Sequence, residues 1–405
     1  MSSRVLEDID WVGYVDWTVR DFHGYNTPRG ATYNAYLVRD EKTALIDTVK
    51  APFAEELLKN ISALTELSAV DYVVCNHAEP DHAGALPRVM TALPAATLVC
   101  NEKCLAALSG HFDISGWKTH LVATGDSIRL GKRTLQFLDT PMLHWPESMF
   151  TFVPEERLLF SMDAFGQHYA TSRRFDDQVS WQTALQEAKT YYANIVMPYG
   201  KQVATALQQA EELNVKMIAP SHGVIWRSHV HKICEAYQNW SAQRPEPKVL
   251  VMYDTMWDST GQMARAIHEG ASTADVDALL IHIRSSDLTR IATEVLDAAA
   301  IAFGSSTLNR EMMPMASAVL TYLKGLRPLG KVGLAFGSYG WGKGGPDSVN
   351  ECLKAMKWEI IRDTLKAQYR PTSEILNTCR EAGKTLAAKA LEMAADHPGS
   401  VGAKR

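Results

Sequence analysis

Residues 71–87, DYVVCNHAEPDHAGALP, run an apolar segment straight into His77, Glu79, Asp81 and His82. This stretch restricts the fold more than any other. Four ionisable groups so close together repel one another or need compensation for lost water, and a cation supplies it. DYVVC therefore reads as a buried strand, and the cluster as a loop at its end that turns these groups inward around metal. Pro80 argues against a helix through the cluster.

Three more candidate ligands stand just past other apolar runs. His144 follows LDTPML in HWPESM, Asp163 ends LLFSM, and His222 follows KMIAP in SHGVIW. Strand ends are where α/β sheets present functional side chains. The remaining histidines, at 23, 111, 120, 168, 229, 231, 268 and 282, read as ordinary packed or solvated residues. The six cysteines (Cys75, Cys100, Cys104, Cys234, Cys352, Cys379) contain no CxxC. They read as reduced, mostly buried thiols and not as an iron–sulfur or rubredoxin-type site.

Two domains are expected. Up to about residue 240, short β runs such as TYNAYLV, TALIDTV, TLVC and TLQFLDT alternate with helical patterns, and MFTFVPEERLLF reads as a hairpin turning at 154–156. Prolines and mixed charge in NWSAQRPEPKV mark Ser241–Lys248 as a linker. Beyond it KVLVMYDT, VDALLIHI, AAAIAFGSS and KVGLAFGSYGW alternate with helices, the pattern of a doubly wound parallel sheet. The expected limits are 1–245 and 246–405.

The second domain carries a second candidate site. YDTMWDSTGQMA ends its first strand and opens a helix, a natural anion site. There Thr255, Ser259 and Thr260 offer hydroxyls beside Met256, Trp257 and Asp258, whose charge is unfavourable unless it faces solvent. Two further strand-end loops supply Ser306, Thr307, Leu308 and Asn309, then Ser338, Tyr339, Gly340, Trp341 and Gly342. Glycines let backbone approach a flat ring, and Tyr339 or Trp341 offers a stacking face. FMN is favoured over NAD, since no GxGxxG follows the first strand of this domain, where a dinucleotide-binding fold carries it.

Bulk properties exclude other classes. The net charge of −5 over 405 residues offers no basic nucleic-acid face. No apolar run approaches the roughly 18 residues of a membrane helix. The N-terminal MSSRVLEDIDWVG has acids where a signal peptide is apolar, so a cytoplasmic location is expected.

HAEPDH resembles the metal motif of the metallo-β-lactamase superfamily with Glu79 in place of its second histidine. With HWPxSM, Asp163 and SHGV, the whole chain resembles the flavodiiron proteins (A-type flavoproteins). The resemblance implies an αββα metallo-β-lactamase-like domain followed by a flavodoxin-like one. It implies two iron ions, His77, Glu79 and His144 holding one, Asp81 and His222 the other, and Asp163 bridging. His82 matches a position that ligates in some members only. His23 and Tyr192 fall near the gas pocket by analogy. The implied activity is reduction of O2 to water, NO to N2O, or both. Electrons would come from an external donor, rubredoxin or a reduced deazaflavin, through FMN. A head-to-tail homodimer, or a dimer of such dimers, is implied as well. The alternative is a zinc hydrolase of the lactamase superfamily with a flavodoxin-like appendage. Glu79 counts against it, because a carboxylate in place of imidazole hardens the site towards iron.

Overall fold

Alternation of side chains along the strands builds the layers. The computed structural model describes residues 2–396. Residue 1 and residues 397–405, the outer ends of the two expected domains, lie outside the described residues. Two compact units emerge, 1–192 with 201–238, and 193–200 with 239–405.

In the first unit, β1 (Ser3–Leu6), β2 (Ile9–Trp11), β3 (Tyr36–Val38), β4 (Thr43–Ile46), β5 (Val70–Val74), β6 (Thr97–Cys100) and β7 (Lys118–Leu121) form one sheet in chain order. Pairing is antiparallel up to β4 and parallel from β4 onward. Leu37, Leu45 and Val73 pack with Leu57, Leu86 and Val89 of the helices Ala54–Ser62 and Leu86–Ala92. The alternate residues Tyr36, Val38, Ile46 and Val74 pack with Phe137, Met149 and Phe160. Those belong to the second sheet, β8 (Ser127–Arg129), β9 (Thr134–Asp139), β10 (Met149–Val153), β11 (Leu158–Phe160) and β12 (Met217–Ala219). The result is the αββα sandwich of the metallo-β-lactamase class.

The second unit is an all-parallel six-stranded sheet of β13 (Glu246–Asp254), β14 (Asp277–His282), β15 (Ala298–Ser305), β16 (Val332–Tyr339), β17 (Leu365–Gln368) and the short strand Glu359–Ile360, in the order β14-β13-β15-β16, with Glu359–Ile360 and β17 both pairing with β16. Val249 and Val251 face Ile267 and Leu386, while Leu250 and Met252 face Ile291 and Leu320. Helices thus cover both faces. The order reverses between β13 and β15, which opens a crevice at the strand C-termini there. No described helix is long and apolar enough to cross a membrane.

Three local expectations change. Pro80 does not exclude helix; it is the first residue of a one-turn helix, Pro80–Ala83, where its missing N–H has no intrahelical partner to lose. The linker is shorter than Ser241–Lys248, because the helix Val230–Ser241 includes its first residue and β13 begins at Glu246. TYNAYLV is two strands, Ala31–Tyr33 and β3, interrupted at Asn34, whose side chain bonds the carbonyls of Pro220 and Gly223.

Candidate functional site

Five segments deliver polar side chains to one end of the sandwich. The segment after β5 carries His77, Glu79, Asp81 and His82, and the loops after β9, β11 and β12 bring His144, Asp163 and His222. The fifth segment is the tight turn His23-Gly24. Both residues have positive φ, as a two-residue hairpin turn of mirror-image type requires.

Asp163 organises the cluster. Its Oδ2 lies 3.2 Å from His77 Nε2 and 3.1 Å from His144 Nε2. Its Oδ1 lies 3.0 Å from His82 Nε2 and 3.3 Å from His222 Nε2. Glu79 occupies the N-cap of the one-turn helix yet makes no cap hydrogen bond. Its carboxylate instead meets His77 at 3.2 Å, His144 at 3.3 Å and His23 Nδ1 at 3.2 Å. Asp81 Oδ2 completes the other side, 3.0 Å from His222 Nε2 and 3.4 Å from His82 Nε2. Two donor sets flank Asp163, His77/Glu79/His144/Asp163 and Asp81/His82/His222, and His23, Glu79 and Asp81 make a third group across them, each with its donor atoms within 4.8 Å of one another.

The donors fit metal. Asp81 Oδ1, His82 Nε2 and His222 Nε2 are buried without a hydrogen bond of acceptable geometry, although the ring nitrogens stand within contact distance of carboxylates. Buried polar atoms that converge without bonding one another suit a shared cation. The donors are nitrogen and oxygen only, the preference of iron rather than of thiolate-seeking metals. Electrostatics agree. Burial opposes charge on His144 and His222, yet contacts with Asp163, then with Glu79 or Asp81, outweigh it and raise them to about 9 and about 10. Burial likewise opposes charge on Glu79, but His144 and His77 hold it down to about 2. Protons and metal compete for these same atoms.

Supporting contacts orient the rings. Glu147 Oε1 accepts from His77 Nδ1 at 2.8 Å and from the Ala78 N–H at 3.1 Å, and His222 Nδ1 donates to the Thr32 carbonyl at 2.6 Å. Both leave Nε2 aimed at the cluster. The Tyr191 hydroxyl donates to Asp163 Oδ1 at 2.6 Å. Of the two residues placed at the pocket by analogy, His23 touches Glu79. Tyr192 packs its ring 5.1 Å from Tyr237, and its neighbour Tyr191 is the tyrosine that reaches the cluster. Sequence reading missed Glu147, although it lies inside the quoted HWPESM. Nothing local marked Thr32 or Tyr191.

The second unit has a cavity of about 670 Å³ at the C-terminal ends of β13, β15 and β16. Met256, Trp257, Ser259, Ser306, Thr307, Asn309, Ser338, Tyr339, Gly340, Trp341 and Gly342 line it, all expected, together with Arg310, Tyr369 and Arg370, which were not. Trp257 and Trp341 are 89% and 93% exposed. Two indoles left in water at one cavity suit a flat aromatic ligand. Thr255, Asp258, Thr260 and Leu308 are not in the lining. Thr260 is fully buried, its Oγ1 3.0 Å from Ser306 Oγ and 2.8 Å from Ser338 Oγ, so it ties the three loops from beneath. Asp258 is neutralised by Arg265, and Leu308 packs against the core below β15. Arg284, also unforeseen, bonds Asp254 and the Thr255 carbonyl, fixing the first loop.

Comparison with known proteins bears on both units. Residues 31–223 match the ODP family beta lactamase model and residues 251–383 the flavodoxin model. The chain is 46% identical over 390 residues to a nitric oxide reductase of Moorella thermoacetica, covering 95% of this chain and 98% of that one. It is 40% identical over 394 residues to an anaerobic nitric oxide reductase flavorubredoxin of an Enterobacter species, covering 96% of this chain and 82% of the relative. Among solved structures, the flavodiiron protein of Giardia intestinalis superimposes with a TM-score of 0.95 at 38% identity, covering 98% of each chain. The rubredoxin oxygen:oxidoreductase of Desulfovibrio gigas does so with a TM-score of 0.94 at 37% identity, covering 98% of this chain and all of that one.

Proposed function

The chain belongs to the flavodiiron proteins, and from that premise we propose that it reduces O2 to water, NO to N2O, or both, with electrons entering from an external donor through FMN to a non-haem diiron centre. The observation that carries this reading is Asp163, whose two carboxylate oxygens each face a separate pair of histidines. When bound, the iron pair supplies electrons and open positions for the gas, and FMN supplies the relay that restores them.

The residues of the chain do the rest. His77, Glu79 and His144 are the proposed ligands of one ion, Asp81 and His222 of the other, with Asp163 between, and His82 joins the second set through its approach to Asp163. Glu147 and the Thr32 carbonyl hold two imidazoles in the orientation that faces Nε2 inward. Tyr191 shares the charge of Asp163, and His23 covers Glu79 from the solvent side. Reducing O2 to two waters takes up four protons and four electrons; coupling two NO to N2O and water takes two of each. Partly exposed His23 is the group of the cluster best placed to pass protons inward. In the second unit, the loops at 255–260, 306–309 and 338–342 are the proposed FMN cradle, Trp257 and Trp341 its stacking faces.

The proposed domain limits are 1–245 and 246–405. The proposed donor is a small redox protein such as rubredoxin, with a reduced deazaflavin as the other choice, and the proposed assembly is a head-to-tail homodimer. A cytoplasmic location accords with six free cysteines. The test is metal and flavin analysis with turnover. Two irons and one FMN per chain with O2 or NO consumption support the proposal. A zinc-loaded chain that hydrolyses esters or amides and consumes neither gas overturns it.

A further inference from the structure

One buried imidazole beside the cluster belongs to neither donor set. His168 is 6% exposed, and both of its ring nitrogens lack a hydrogen-bond partner. Its ring lies 4.6 Å from that of Phe22, 4.9 Å from Tyr191 and 5.6 Å from His222, which places it on the Asp81/His82/His222 side.

The position is held rigidly. The Gln167 N–H donates to the His222 carbonyl at 3.1 Å, its Nε2 donates to the Phe165 carbonyl at 2.7 Å, and its Oε1 accepts from the Val224 N–H at 2.7 Å. Gly223, at φ +82°, leaves room for that amide, since a Cβ there would overlap Gln167 Oε1. His168 is therefore fixed by its neighbour in sequence, and its own polar atoms are not needed to hold it. Burying an imidazole N–H and lone pair without partners is unfavourable. A phenylalanine would fill the same space among Phe22, Tyr191 and His222 without that cost. Its two unpartnered nitrogens leave a donor and an acceptor free for something small and polar beside the cluster.

We propose that His168 is an additional ligand-contacting residue, its imidazole N–H donating a hydrogen bond to the small dipolar molecule bound at the Asp81/His82/His222 half of the centre. The inference rests on the diiron reading above. It makes His168 a determinant of which small molecules are held, favouring those whose outer atom carries negative charge.

The probe is azide, a linear anion of suitable size, titrated optically into the oxidised, iron- and FMN-loaded protein. His168→Phe is expected to raise the azide Kd three- to tenfold, about 0.7–1.4 kcal/mol. His168→Gln, which keeps an N–H donor, is expected to recover most of that loss. Iron and FMN contents should match wild type in both. An unchanged Kd in His168→Phe overturns the proposal, as does a glutamine variant as weak as the phenylalanine one, which would mark a packing role. If His168→Phe fails to load iron, His168→Met, flexible and without a donor, takes its place against His168→Gln and is read in the same way. Failure of the wild-type protein to bind iron refutes the diiron reading instead, so the two failures are distinct.

Discussion

Glu147 offers the sharpest test of how the cluster is held. Its carboxylate is buried, accepts from His77 Nδ1 at 2.8 Å, and accepts from the backbone N–H of Ala78 at 3.1 Å. Burial opposes its charge, but the contact with His77 and the backbone N–H outweigh burial and keep its pKa low. Glu147→Ala removes a charge-assisted hydrogen bond, worth about 1.5–3 kcal/mol, and strands a buried N–H. Part of that loss falls on the fold and part on the metal, because an unanchored His77 ring must be oriented at the moment of binding. Outer partners of metal-bound histidines typically contribute 10- to 100-fold in affinity, and Glu147→Ala is expected to lose iron by a factor in that range. Glu147→Gln keeps an acceptor for both N–H groups and gives up only the charge, so its loss should be smaller. The assay is iron retention against a graded chelator, read by metal analysis, with flavin content as the internal control. Superimposable chelator curves for Glu147→Ala and wild type would refute the argument. So would equal losses in the alanine and glutamine variants, since the difference between them is the acceptor.

Three other perturbations address the remaining parts. Glu79→His replaces a carboxylate that meets His77, His144 and His23 by imidazole; metal analysis should show a shift from iron towards zinc, and gas consumption should be lost. Thr260→Val removes the hydroxyl that ties Ser306 and Ser338 together and should weaken FMN binding by about 1–3 kcal/mol with iron unchanged, as read by flavin fluorescence; an unaltered flavin Kd would sink the role assigned to the three loops. Mixing a metal-dead subunit (His77→Ala with Asp163→Ala) with a flavin-dead one (Ser259→Ala, Thr260→Ala, Trp341→Ala) should restore up to about half of wild-type activity per dimer if electrons cross between subunits, and no recovery in cofactor-loaded heterodimers argues for transfer within one chain.

Much was legible along the chain because the informative features are local. His77 to His82, His144, Asp163 and His222 each follow an apolar run, so their meeting at one end of the sandwich follows from strands that end there. The loops after β13, β15 and β16 announced themselves in the same way. Local statistics misled where a residue has two meanings. Pro80 breaks a helix in its interior and begins one at its first position, and only the chain on either side decides which.

What the sequence by itself determined is therefore the inventory: two units, their sheet classes, and which ionisable and aromatic side chains stand at strand ends. Tertiary structure decided the partners. Glu147 meets His77 across 70 positions, Tyr191 meets Asp163 across 28, and the Thr32 carbonyl meets His222 across 190. Tyr191 and not Tyr192 reaches the cluster, and Thr260 lies beneath the cavity instead of lining it. The periodicity of a helix or strand states which residues share a face, but not which face meets which neighbour. That choice is made when the layers pack, and with it come the contacts that orient each ring and separate the residues of a site from those that only support it.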